Sequence, residues 1–223
     1  MIVLIGGAPG VGKSMVAYQL ARELGLLRLI DLDVLRDILR IQCREKDDPI
    51  LFCNALNAWE LHGPFSESTV RAGFQAHVRP LVGATFRLVD SYLNTGKSAI
   101  FHGVGLLPSQ MARYRQRGVQ AVIVAASDEA SYRERFIEKH RTRTGLMPAQ
   151  VRIDAGWILH RQIVAEARDC GLQIIAENTP AQAVAQVMRR LRSRRASRRD
   201  GLTRVPQPKG TTPSQWRARP RAP

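Results

Sequence analysis

The sequence predicts an α/β fold, a five-stranded parallel sheet with helices on both faces, and three observations carry that prediction. Apolar runs of strand length alternate along the chain with segments whose apolar residues recur at helical spacing. The first run leads at once into a glycine-rich loop that opens a helix. The chain is 223 residues long, enough to bury one good core.

Ile2 to Ile5 is an apolar run that reads as a buried strand, and Val16, Leu20 and Leu24 recur every four residues on a helix that stops before Gly25. Between them lies Gly7, four residues, then Gly12, Lys13 and Ser14, the spacing of a phosphate-binding loop. The glycines let successive backbone N–H groups turn inward around phosphate oxygens, and the helix start adds its positive end. The nucleotide-binding residues are therefore Gly7, Ala8, Pro9, Gly10, Val11, Gly12, Lys13 and Ser14. Lys13 is expected to reach the β- and γ-phosphates of ATP, and Ser14 to bind Mg2+. A strand, loop and helix of this kind predict the P-loop NTPase fold. Gly96-Lys97-Ser98 repeats the triplet, but Ser91 stands where the first glycine belongs and a strand follows, so it is no second loop.

The segment "LLRLIDLD" gives a second strand closing on Asp31 and Asp33. Leu35, Ile38 and Leu39 then mark a helix with Asp33 as its expected cap. "DDPILFCNALNAWELHG" reads as irregular with a helical core. From Glu67 to Leu93 the residues Val70, Phe74, Val78, Leu81, Leu88 and Tyr92 keep helical spacing, with Pro80 an expected kink. "SAIFHGVG" is a third strand, Pro108 opens a helix, and "VQAVIVAAS" is a fourth strand followed by the charged helix "DEASYRERFIEKH". A helix around "AGWILHRQIVAEARDC" and a fifth strand, "LQIIAE", complete the alternation.

The net charge of +15 is unevenly placed: from Arg189 onward twelve Lys and Arg face one acid, a net of +11, which leaves +4 for residues 1–188. The expected organisation is a P-loop domain over 1–191 and a disordered, basic, Arg/Pro-rich tail over 192–223. The tail reads either as a weak contact for nucleic acid or another polyanion, or as a solvated extension. Cys43, Cys53 and Cys170 are odd in number and lack metal-ligand spacing, which predicts buried thiols in a reducing compartment. No apolar stretch approaches a membrane span, so the expectation is a soluble, cytoplasmic protein without a membrane partner. Nothing in the sequence speaks to an oligomeric state.

Taken in order, "LIGGAPGVGKS", "DLDVLRDILR", "LNAWE", "AIFHGVGLLP", "YRERFIEKH" and "VAEARDCGLQIIAEN" resemble the 2-phosphoglycerate kinase family, over residues 1 to about 190. That family is one of the P-loop small-molecule kinases resembling nucleoside monophosphate kinases, with a lid. The resemblance implies ATP-dependent phosphotransferase activity with magnesium, acting on a small anionic metabolite. It carries Asp33 and Arg36 onto the family's Asp-x-x-Arg. There the carboxylate would orient the acceptor hydroxyl or take its proton, and the guanidinium would hold an anionic group. Arg133, Arg135, Lys139, Arg141 and Arg143 fall where such kinases lead into the lid, and Arg141 and Arg143 are the pair expected to act on the transferring phosphoryl group beside Lys13.

One departure stands out. Where the family carries a glutamate before Gly-Val-His at the end of the third strand, this chain reads His102-Gly103-Val104-Gly105. A neutral imidazole is a poor ligand for a hard magnesium ion. Asp31 is an acid where the family has a small residue, and with strands two and three adjacent it would supply the missing carboxylate. That leaves Ser14 and Asp31 as metal residues and His102 as an acceptor-binding residue. Two other readings compete: a nucleotide-binding module without phosphotransfer that works through its tail, and a kinase of nucleic-acid ends. The core's small net charge and its lack of an aromatic and basic platform weigh against the latter.

Overall fold

The structure, a computed structural model, describes residues 1–176 and 179–202, with side chains through 193. Five strands, β1 (Ile2–Gly6), β2 (Leu29–Asp31), β3 (Ala99–His102), β4 (Gln120–Val124) and β5 (Gln173–Ile175), form one parallel sheet in the order 2-3-1-4-5. The three central strands are buried along their whole length, as parallel strands covered on both faces must be, and the two edge strands are partly exposed.

The helices are α1 (Lys13–Leu24), α2 (Leu32–Ile41), α3 (Pro49–Phe52), α4 (Glu67–Asn94), α5 (Pro108–Ala112), α6 (Glu129–Thr144), α7 (Gln150–Asp169) and α8 (Pro180–Leu202), with short 3-10 turns at Ala58–Leu61 and Arg115–Arg117. On one face α1 packs with α8; on the other α4, α5 and α7 pack together. After β1 the chain builds β2 and β3 on one side of it and then crosses to β4 and β5 on the other. The carboxyl ends of β1, β2 and β3 therefore meet at the switch point where α/β sheets bind ligands.

Several sequence expectations need adjusting. The cap of α2 is Asp31, whose carboxylate accepts from the Asp33 N–H at 2.9 Å; Asp33 is already inside the helix. The helix begins one residue after Asp31 because Leu32 must reach the core, where it is 1% exposed. Helix α4 continues through Pro80, the long helix that the spacing predicts. The three thiols are free but only half-buried. Helix α8 continues past the expected boundary at Leu191 to Leu202, in keeping with the strong helix propensity of Arg, Ala and Leu; residues 203–223 lie outside the described residues. Gly96-Lys97-Ser98 forms the turn between α4 and β3 and opens no helix. No helix among the described residues is long and apolar enough to cross a membrane.

Candidate active site

The loop after β1 has the backbone that its glycines permit. Gly7, Gly10 and Gly12 have φ of 139°, 90° and 93°, and a Cβ at Gly7 would lie 2.3 Å from the Val124 carbonyl oxygen. Ala8 and Val11 are buried in the core, so they present only backbone to a ligand, and Pro9 has no N–H to present. Lys13 folds back over the loop, its Nζ donating to the Ala8 carbonyl at 2.7 Å. Burial and the nearby charge of Lys139 push its ammonium down to about 7, against the pull of Asp33 and Asp31. A lysine held this way gains from any anion that enters the loop.

Asp31, at the end of β2, and Asp33, in the first turn of α2, both act on this lysine through their charge. In the sheet Asp31 is paired in register with His102 at the end of β3. His102 is 1% exposed, its Nε2 has no partner, and its ring lies 6.3 Å from that of Tyr18. Burial lowers its pKa, Asp31 opposes that shift, and Lys13 reinforces it, so the imidazole is neutral at physiological pH. Among the described residues no group of three His, Cys, Asp or Glu side chains could hold a metal ion. A magnesium ion arriving on ATP needs only one or two protein oxygens, and the Ser14 hydroxyl with the Asp31 carboxylate fit that demand.

Helix α2 exposes apolar residues and buries a charged one. Val34, Ile38 and Ile41 face solvent, while Arg36 occupies a core position one turn beyond Leu32 and is 6% exposed. Its Nη1 meets Asp33 at 3.4 Å, but Nε and Nη2 are buried without partners. These two lie on the same edge of the guanidinium, the parallel fork that matches two oxygens of a carboxylate or phosphate. Arg40, one turn on, shows the contrast: its donors are taken by the Leu51 and Cys53 carbonyls and by Asp37. A buried polar group without a partner is costly, and Arg36 carries two such nitrogens.

Helix α6 supports the loop from the other side. The Tyr132 hydroxyl donates to the Pro9 carbonyl at 2.9 Å, and a Cβ at Gly10 would lie 2.8 Å from Phe136. Of the basic residues in α6, Arg133 is committed to Glu129 and Asp154, bridging to α7, at 2.6 and 2.8 Å. Arg141 and Arg143 lie exposed in its last turn, and Lys139 is the one whose charge is felt at Lys13. Sequence reasoning missed Tyr132, although Tyr132 and Phe136, one turn apart in a charged helix, were a signal.

The sheet, the loop and the helix it opens define a P-loop NTPase fold of the kinase type. Shikimate kinase from Acinetobacter baumannii, solved with shikimate, shares that fold with a TM-score of 0.50 and 15% identity, over 88% of this chain and 93% of that one. In sequence the chain is similar to 2-phosphoglycerate kinase from Methanothermobacter thermautotrophicus, 27% identical over 183 residues, 78% of this chain and 60% of that protein. It is similar also to the enzyme of the same name from Methanopyrus kandleri, 31% identical over 153 residues, 67% of this chain and 47% of that protein. The chain thus spans about half of the length of the second relative and 60% of the first. No family model matches it.

Proposed function

We propose that this protein is an ATP-dependent kinase that transfers a phosphoryl group to a hydroxyl of a small anionic metabolite. The observation that carries the reading is the buried, open fork of Arg36, paired at Nη1 with Asp33, whose charge is felt at Lys13 of the phosphate loop; such a fork asks for an anionic acceptor. The similarity to 2-phosphoglycerate kinases supports a phosphorylated hydroxy acid as that acceptor.

In this reading the backbone N–H groups of the loop and Lys13 hold the ATP phosphates, and Ser14 and Asp31 would hold Mg2+, which would supply positive charge against the phosphate oxygens. Asp33, exposed and one turn before Arg36, orients the acceptor hydroxyl and takes its proton as the oxygen attacks. Arg36 fixes the acceptor's anion, so that the hydroxyl stays in reach of the transferring group. His102, neutral and opposite Asp31, contributes an acceptor contact in place of a metal ligand. Lys139, Arg141 and Arg143 bring positive charge from α6 and its end as a lid, and Tyr132 keeps the loop in register with that helix. The chain acts in the cytoplasm, with residues 1–191 as the kinase domain. The basic segment 192–223 contacts polyanions through charge alone.

The test is ADP release from Mg-ATP by purified protein, with phosphorylated hydroxy acids added one at a time. At least one should stimulate release in the wild type and none in Lys13→Ala. Nucleotide binding without stimulation by any anionic acceptor would favour a binding module.

A further inference from the structure

Helix α8 changes character along its length. Ala183, Val184 and Val187 are buried, and Leu191 packs against the same core. That face, carried on at helical spacings of three and four, reaches positions 194, 195 and 198, and all three are Arg. The stripe that holds α8 to α1 and β4 therefore ends at Leu191, while the helix continues to Leu202. Over residues 189–199 seven of the eleven residues are Arg and none is acidic, whereas residues 1–188 carry a net charge of only +4. Arg189, Arg190 and Arg192 are exposed. At about 100° per residue the seven positions cover more than half of the helix circumference. Between them stand Leu191, Ser193, Ala196 and Ser197, which form no apolar face.

We propose that residues 189–199 of α8 are a docking helix for duplex DNA, holding its phosphates without reading its sequence. This narrows the polyanion contact proposed above to one helix and one partner, and it is independent of the phosphotransfer reading. The charge density fits a duplex. At 1.5 Å per residue the stretch spans about 15 Å, over which duplex DNA presents about nine phosphates and a single strand about four. Seven arginines match the former better than the latter. The major groove of B-form DNA admits a helix between the phosphates of both strands, whereas that of an RNA duplex is deep and narrow. Every cation of the stretch is Arg, whose planar fork grips two phosphate oxygens and is always charged. A membrane surface asks instead for a helix with an apolar face, which this stretch lacks.

The experiment follows the fluorescence anisotropy of a labelled duplex DNA of mixed sequence with the full chain at several salt concentrations. The single strand, a duplex RNA, polyglutamate and vesicles rich in phosphatidylserine serve as competitors. Duplex DNA should bind most tightly, with an affinity that falls steeply with salt. Arg194→Gln, Arg195→Gln, Arg198→Gln and Arg199→Gln together should make the slope of log affinity against log salt shallower by about 3 to 4, since each phosphate contact contributes about 0.9. Removing the same charge further along the chain, with Arg204→Gln, Lys209→Gln, Arg217→Gln and Arg219→Gln, should change that slope by less than about 1. Ala196→Pro keeps every charge but interrupts the helix, and should weaken duplex binding at least about 10-fold. Equal loss in the two fourfold variants, wild-type binding by Ala196→Pro, or equal or tighter binding of any competitor would overturn the proposal. Mg-ATP binding, measured separately, should be the same in all three variants; its failure in the wild type would count against the kinase reading alone.

Discussion

Arg36→Met should make the fold more stable while removing acceptor binding. Each buried polar group left without a partner costs about 1–3 kcal/mol, and Arg36 carries two such nitrogens. Against this, the variant loses the 3.4 Å pair with Asp33, whose side chain is 70% exposed. A pair screened to that degree contributes about 1 kcal/mol at most. Met is unbranched and adaptable, so the stem's packing is largely kept. The net gain is about 1–5 kcal/mol, and at roughly 2–4 °C per kcal/mol for a chain of this size the melting temperature should rise by about 2–20 °C. For binding, two hydrogen bonds from a charged donor contribute about 1.5–3 kcal/mol each, so kcat/KM for the acceptor should fall by about 10²–10⁴. Thermal melts and ADP release at varied acceptor concentration measure the two effects on one pair of proteins. A lower melting temperature would mean that Arg36 is a structural arginine, and an unchanged acceptor KM would remove it from the site.

Lys13 predicts a pH dependence. Its folded pKa, about 7, lies below its ordinary 10.5, so folding disfavours the charged form; that penalty is complete below pH 7 and is released as pH rises toward 10.5. Stability should therefore climb through that window in the wild type and less so in Lys13→Met. Mg-ATP binding near pH ~8 should take up close to one proton, seen as a dependence of calorimetric heat on buffer ionisation enthalpy; no uptake would contradict the placement of Lys13 on the phosphates. Asp31→Asn keeps the α2 cap, because Asn caps as well as Asp, so melting should barely change while activity falls on the order of a hundredfold, partly recovered at high magnesium. Full activity in that variant would exclude Asp31 from metal binding. Tyr132→Phe removes the bond to Pro9 at 2.9 Å and should cost about 1 kcal/mol of stability and weaken nucleotide without changing acceptor KM. Unchanged nucleotide affinity would show that the loop keeps its shape without α6.

The five strands and the phosphate loop could be read from sequence because both are local: apolar runs bounded by turns, and glycines at fixed offsets. Register between β2 and β3 was inferable only by family analogy, and the pairing of Asp31 with His102 follows it. The cap of α2 was misread because two carboxylates two residues apart both carry the local signal, and only the burial of Leu32 decides between them. Arg36 was visible as part of a motif, but its open fork depends on how α2 packs, which no single segment encodes. Within α6, charge alone did not separate Arg133, held by Asp154, from Lys139, felt at Lys13.

Transfer of label from γ-labelled Mg-ATP to a panel of hydroxy compounds, each offered in an anionic form and an uncharged counterpart, tests the central claim most directly. Label should appear in at least one phosphorylated hydroxy acid, not in its uncharged counterpart, and Arg36→Met should lose that selectivity along with the rate. Tightly bound ATP with no label transferred to any anionic compound, or transfer to uncharged acceptors alone, would contradict it.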